Sequence, residues 1–253
     1  MTEFIILGIA ATLAGLVDAV VGGGGLIQTP MLFSVFPQTT PATLLGTGKL
    51  AGVWGTAASA LNYAKTVKIR WSTVLPAAAS AFLFSFCGAF TVTHIPSDFV
   101  RKLLPFILVL VATYTLMRKD FGIHHSPNHH GRREFLFALA AGGVIGFYDG
   151  FFGPGTGSFL VFLFVRFFGF DFLSASASAK VVNVACNLSA LLWFGYSGHV
   201  IWLLGAVMAI CNVMGSLIGS RLAIKYGSAF VRKAFLFVVV ALIFKSTYDA
   251  FLK

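Results

Sequence analysis

The sequence predicts an all-α polytopic membrane protein made of two homologous four-segment repeats. Three observations carry that prediction. Hydrophobic residues make up 58% of the 253 positions and charged residues only 10%. A soluble domain usually carries about 25% charged and 45–50% apolar residues, so this chain lacks the polar groups to coat a globular surface. Apolar runs of about 20 residues, the length that spans a hydrocarbon core as a helix, recur along the chain. Rare polar residues also recur at a constant spacing between its two halves.

Composition excludes several other classes. Low polarity rules out intrinsic disorder, and three cysteines cannot build a disulfide scaffold. Cys87, Cys186 and Cys211 each lie inside an apolar run without CxxC spacing and read as small buried hydrophobes. The net charge of +10 would suggest nucleic acid in a soluble domain. Here most Lys and Arg sit between apolar runs, where they set orientation in the membrane, so no nucleic-acid partner is expected. The start, Met1-Thr2-Glu3-Phe4, lacks the basic region of a signal peptide, and the apolar run continues into glycines. The first segment therefore reads as retained.

In chain order, continuous segments are predicted at 42–62, 71–93, 99–117, 173–195, 200–223 and 230–250. Residues 4–36 and 135–168 are different. As straight helices each would be about 50 Å long, against a hydrocarbon core of about 30 Å. GGGG at 22–25 interrupts the first and GPGTG at 153–157 the second. Glycine weakens a helix and an internal proline breaks its ladder, so each is predicted to be a broken helix. Residues 118–134, RKDFGIHHSPNHHGRRE, are the one polar stretch. Residues 1–117 are thus a first transmembrane repeat, 118–134 a cytoplasmic His/Arg-rich linker, and 135–253 a second repeat. His124, His125, His129 and His130 read as part of a solvated loop, because no carboxylate or cysteine completes a metal sphere.

The halves align without a gap at an offset of 131. Asp18 matches Asp149, Lys49 matches Lys180, Trp71 matches Trp202, and Phe99-Val100-Arg101-Lys102 matches Phe230-Val231-Arg232-Lys233. Gly15, Gly22, Gly24 and Gly88 match Gly146, Gly153, Gly155 and Gly219. Apolar residues align by chance; Asp, Lys and Trp in register do not. Such repeats mark many transporter folds, with the site at the repeat interface. Positive charge near helix ends favours the cytoplasm. With the linker and the loop holding Lys65, Lys68 and Arg70 inside, an inverted arrangement also places Arg221, Lys225, Arg232 and Lys233 inside. A parallel arrangement leaves those four outside, so charge favours inversion.

Asp18, Lys49, Asp149 and Lys180 are ionisable groups inside apolar segments, where a charge is costly and must face the interior. They either form two Asp–Lys locks or serve a substrate or proton relay. A helix restarting after each glycine break presents free N–H groups and a positive dipole end, an anion-binding arrangement. Gly24 and Gly25 mark the first restart, Gly155 and Thr156 the second. Asn183 and Asn187 lie one and two turns beyond Lys180, and Thr47 and Ser178 flank the lysines. For each hydroxyl the competing role is a bond to the carbonyl four residues earlier. No Ser-His-Asp, HExxH or nucleotide-loop pattern occurs, so neither an enzyme nor a bound cofactor is expected.

GLVDAVVGGGGLIQTPML, TPATLLGTGKLAGVWGTAASAL and SASAKVVNVACNLSALLWFGYSGHVIW resemble the TauE/SafE family of sulfite and organosulfur anion exporters. The likeness covers nearly the whole chain. The family pattern often has Asn before the first lysine, where this chain has Gly48. The resemblance implies a multi-pass permease of the bacterial plasma membrane that moves small anions. Combined with the residues, the expectation is a transporter that exports a small anion such as sulfite by alternating access. Lys49, Lys180, Asn183, Asn187, Thr47, Ser178, Gly24, Gly25, Gly155 and Thr156 would bind it, and Asp18 and Asp149 would pair with the lysines or carry coupling protons. A homodimer is a possible assembly. A passive anion channel and a non-transporting scaffold or sensor stay open as alternatives.

Overall fold

A computed structural model describes residues 2–100 and 131–251, and their side chains except those of 232 and 235–251. It is helical, with no strand among the described residues. The segment predicted over 4–36 forms α1 (Thr2–Val21) and the 11-residue α2 (Gly25–Val35). The segment over 135–168 forms α5 (Arg132–Phe151) and the 11-residue α6 (Thr156–Arg166). Between these pairs lie α3 (Pro41–Ala64) and α4 (Trp71–Thr93); α7 (Phe172–Tyr196) and α8 (Trp202–Phe251) follow. The predicted segments 200–223 and 230–250 are one helical stretch kinked at Gly227, whose φ of 71° no other residue type adopts easily. The expected segment at 99–117 and the four histidines fall almost wholly outside the described residues.

Helix starts follow local chemistry. Thr40 caps α3 by accepting from the Thr43 amide, and Pro41 occupies the first turn, where its missing N–H costs nothing. Asp171 caps α7 by accepting from the Leu173 and Ser174 amides at 3.0 Å each. One boundary differs from the sequence expectation. Arg132–Glu134 belong to the first turn of α5 rather than to the polar linker, and Glu134 is buried between Arg70 and Thr73. A neighbouring guanidinium supplies the counter-charge that lets this acid leave water.

Five helices among the described residues are long and apolar enough to cross a membrane: α1, α4, α5, α7 and the Trp202–Val231 part of α8. At 11 residues, α2 and α6 are too short to span. The outer faces carry Ile5, Ile9 and Leu13 on α1 and Leu203, Ile210, Met214 and Ile218 on α8, all exposed. Continuous apolar surface of this kind is stable against lipid and not against water. The protein is a membrane protein.

Glycines set the helix packing. Gly215 and Gly219 of α8 lie against the backbone at Thr12 and Leu16 of α1, and Gly55 of α3 lies against Asn212 and Ser216 of α8. These contacts put α1, α3 and α8 in one direction. Gly142, Gly146 and Gly150 of α5 lie against Ala77, Ala81 and Ser85 of α4, and Ser85 bonds the Cys186 carbonyl of α7. Gly46 and Gly52 of α3 meet Phe194 and Asn187 of α7 in the reverse order. So α4, α5 and α7 run opposite to α1, α3 and α8. The two helix breaks meet at the centre. Gly22 and Gly157 abut backbone to backbone, and a Cβ on either would overlap the other.

Candidate functional site

The last four carbonyls of an α-helix have no partner within the helix. In α1 every one is satisfied from elsewhere. Asp18 O accepts from the Gly22 amide at 2.8 Å and from Lys180 Nζ. Ala19 O accepts from the Tyr63 hydroxyl at 2.9 Å, Val20 O from Ser176 at 2.8 Å, and Val21 O from Ser158 at 3.0 Å. The Ser158 amide then donates to Gly22 O at 3.0 Å. Lys180 also holds the Asp18 carboxylate at 2.9 Å and has 0% exposure. The first break is therefore fixed by a closed set of bonds.

The second break is built differently. Gly153 and Gly155 have φ of +94° and +87°, and Thr156 closes the turn by donating its hydroxyl to Gly153 O at 2.8 Å. The Tyr148 hydroxyl donates to Pro154 O at 2.6 Å. No side chain among the described residues caps the carbonyls of Asp149, Gly150 and Phe151. Lys49 comes from α3 and pairs with Asp149 through the carboxylate alone. Its Nζ lies 3.0 Å from where a Cβ on residue 153 would sit, so a side chain there would crowd it.

Between the breaks lies a cavity of about 70 Å³. Its walls include Lys49 and Asp149, the edge of Asp18, and the backbone of Gly22, Gly24, Gly25, Gly153, Gly155 and Gly157. Carboxamides and hydroxyls complete it: Gln28, Thr29, Thr56, Asn183, Asn187 and Asn212. Asn187 Nδ2 donates to Asn183 Oδ1 at 3.4 Å, Asn212 Nδ2 to Gln28 Oε1 at 3.1 Å, and Gln28 Nε2 to the Gly48 carbonyl at 3.0 Å. The amides of Gly23, Gly24, Gly25, Gly155 and Gly157 make no hydrogen bond among the described residues. The cavity thus presents one ammonium and many N–H donors. A volume this small suits an ion of a few heavy atoms, since pockets for drug-sized ligands run to about 300–1,000 Å³.

The structure brings together Lys49, Asn183, Asn187, Gly24, Gly25, Gly155, Asp18 and Asp149 from the sequence-predicted set. It separates four others. Lys180 stands behind Asp18, outside the cavity wall. Thr47 donates to Thr43 O at 2.7 Å and accepts from the Ile201 amide at 3.0 Å, tying α3 to α8. Thr156 is spent on its own turn. Ser178 is buried, its hydroxyl unpartnered and off the cavity wall. Gln28, Thr29, Thr56 and Asn212 were not anticipated. A signal for them exists: Gln28, Thr29 and Asn212 fall where the 131 offset aligns Phe159, Leu160 and Ala81. A polar residue at one copy of an apolar position is a mark of use. Among the described residues no cluster of His, Cys, Asp and Glu could hold a metal.

Residues 7–246 match the family described as sulfite exporter TauE/SafE. The chain belongs to the TauE/SafE family. It is similar to proteins named as probable membrane transporters. ORF9 of Sinorhizobium sp is 36% identical over 95% of this chain and 91% of its own length. YfcA of Escherichia coli K12 is 34% identical over 99% and 93%. A protein of Haemophilus influenzae is 31% identical over 93% and 91%. No solved structure matches the chain. TauE/SafE membership, the relatives' names and the apolar helices together point to transport across a membrane rather than to an enzyme.

Proposed function

We propose that this TauE/SafE protein exports a small oxyanion, such as sulfite or an organosulfur anion, across the bacterial plasma membrane by alternating access. One observation carries the reading: among the described residues Lys49 is the cation on the cavity wall, it faces carboxamide and backbone N–H donors, and its counter-charge is Asp149. Helix N-termini and amide donors favour negative charge. The family name supports a sulfur oxyanion as the substrate class. The opposed directions of α1, α3, α8 and α4, α5, α7 support an inverted duplication, with the site at the repeat interface.

The charges imply how binding is coupled. With Lys49–Asp149 and Lys180–Asp18 both ionised, the centre is neutral. Protonating Asp149 releases Lys49 and makes the cavity cationic, ready for an anion. Asp18 stays with Lys180, so one proton on Asp149 and one substrate charge beside Lys49 are bound together. The alternative carboxylate, Asp18, is held by Lys180 in a set of bonds that has no free cation to offer.

Thermal-shift measurements on purified protein test this. A ligand raises stability by RT ln(1 + [L]/Kd). Sulfite, sulfate, thiosulfate or a sulfonate should stabilise the wild type, more strongly as pH falls. Asp149→Asn, which mimics the protonated acid, should bind with no such pH dependence. A pH dependence kept in Asp149→Asn would overturn the coupling role. Stabilisation by none of these anions at any pH would overturn the substrate class. Steps of conductance in a planar bilayer would replace the transporter with a channel.

A further inference from the structure

Helix α3 carries four glycines, and two of them are unlike the others. Gly46 and Gly55 are packing glycines. A Cβ on Gly46 would lie 2.1 Å from the His199 carbonyl oxygen, and one on Gly55 1.7 Å from Asn212 Oδ1. Nothing comparable crowds the other two. A Cβ on Gly52 would come no closer than 3.5 Å, to Asn187 Nδ2, an ordinary van der Waals contact. One on Gly48 would lie 3.3 Å from Gln28 Nε2 and 3.6 Å from Leu32 Cδ1, the ends of two flexible side chains. Neither residue has a positive φ, so alanine fits both positions and is the better helix former. Packing and backbone conformation therefore do not require glycine at 48 or 52.

The other glycines of the cavity wall differ in this respect. Gly22, Gly153 and Gly155 have positive φ, and a Cβ on Gly24, Gly25 or Gly157 would press on neighbouring backbone. What Gly48 and Gly52 share is a place on the cavity wall, one helical turn apart, on the same helix as Lys49. They leave a bare strip of α3 about 6 Å long beside the lysine. At the 131 offset their counterparts are Ala179 and Asn183, so the second repeat carries side chains at both positions. Each missing methyl is space in a cavity of only about 70 Å³.

We propose that Gly48 and Gly52 set the size of the anion the cavity accepts. Lys49 and the amide donors hold the oxyanion head, and the bare strip takes a one- or two-carbon substituent on it, the shape of a small organosulfonate. The proposal rests on the anion reading above and adds the residues that decide between a bare oxyanion and a substituted one. A packing role alone predicts overlap at an added Cβ, which is present at 46 and 55 and absent at 48 and 52.

Thermal shift with sulfite and with ethanesulfonate, at one pH, tests it. The proteins are purified full-length wild type, Gly52→Ala, Gly48→Ala and, for packing, Gly55→Ala. Both anions should stabilise the wild type. Without ligand, Gly52→Ala should melt no lower than the wild type, and Gly55→Ala well below it. Gly52→Ala should raise the preference for sulfite over ethanesulfonate by roughly tenfold or more, the scale on which a pocket reads one carbon. Gly48→Ala should shift the preference in the same direction. An unchanged preference in both variants overturns the proposal and leaves the anion site standing, as does a wild type that sulfite stabilises and ethanesulfonate does not. A Gly52→Ala protein that melts as low as Gly55→Ala overturns it too, because residue 52 is then a packing glycine. Stabilisation of the wild type by neither anion overturns the anion reading itself, and this proposal with it.

Discussion

At the scale of single residues, two Lys–Asp pairs of the same composition have different surroundings. Lys180 donates to both the carboxylate and the main-chain carbonyl of Asp18 and is fully buried. Lys49 reaches only the Asp149 carboxylate and borders the cavity. Removing one partner of a buried pair leaves an uncompensated charge and costs about 3–5 kcal/mol. Lys180→Met should therefore lower the melting temperature in detergent strongly. Lys49→Gln should lower it less, because Asp149 borders the cavity and its carboxylate faces carboxamide donors there rather than closed packing. Fluorescence melting of both variants checks this, and equal losses would mean that the pairs are equivalent. The sequence could not separate them, since the two lysines occupy matching positions. The difference arises from Ser158, Ser176 and Tyr63, which cap α1, and whose counterparts Ile27, Leu45 and Phe194 cannot donate.

At the scale of helices, the glycine breaks were legible because helix length and bilayer thickness are incompatible over 33 residues. The start of α5 was not. Arg132–Glu134 read as linker by polarity, and only the fold supplies Arg70 and Thr73 to bury Glu134. The α7 start offers a pH test. Burial acts to raise the Asp171 carboxyl, but the Ser174 hydroxyl and amide, the Ser228 hydroxyl and the Leu173 amide outweigh it and hold it below its ordinary value. A carboxyl lowered in the folded state stabilises above its unfolded value, about 3.9, and loses that contribution as pH falls through the folded value. Asp171→Ala should cost about 0.5–2 kcal/mol at neutral pH, as loss of a helix cap does. That deficit should shrink in acid melts below about pH 4. A deficit constant across this range would show that the charge on Asp171 contributes nothing.

At the scale of the molecule, membrane class and the meeting of two broken helices follow from apolar length and glycine placement. The exact site does not, because it depends on which of two matched halves carries Gln28, Thr29 and Asn212. Those residues, with Lys49, line the cavity that we propose as the anion site. Loss of one charge-assisted hydrogen bond is worth about 1.5–3 kcal/mol, or roughly ten- to a hundredfold in affinity. Anion flux driven by a proton gradient in proteoliposomes is the direct measurement, comparing wild type with Lys49→Gln at matched insertion. Saturable flux in the wild type, with the rate at low anion concentration reduced by roughly ten- to a hundredfold in Lys49→Gln, is the predicted result. Flux that is undiminished in Lys49→Gln would contradict it.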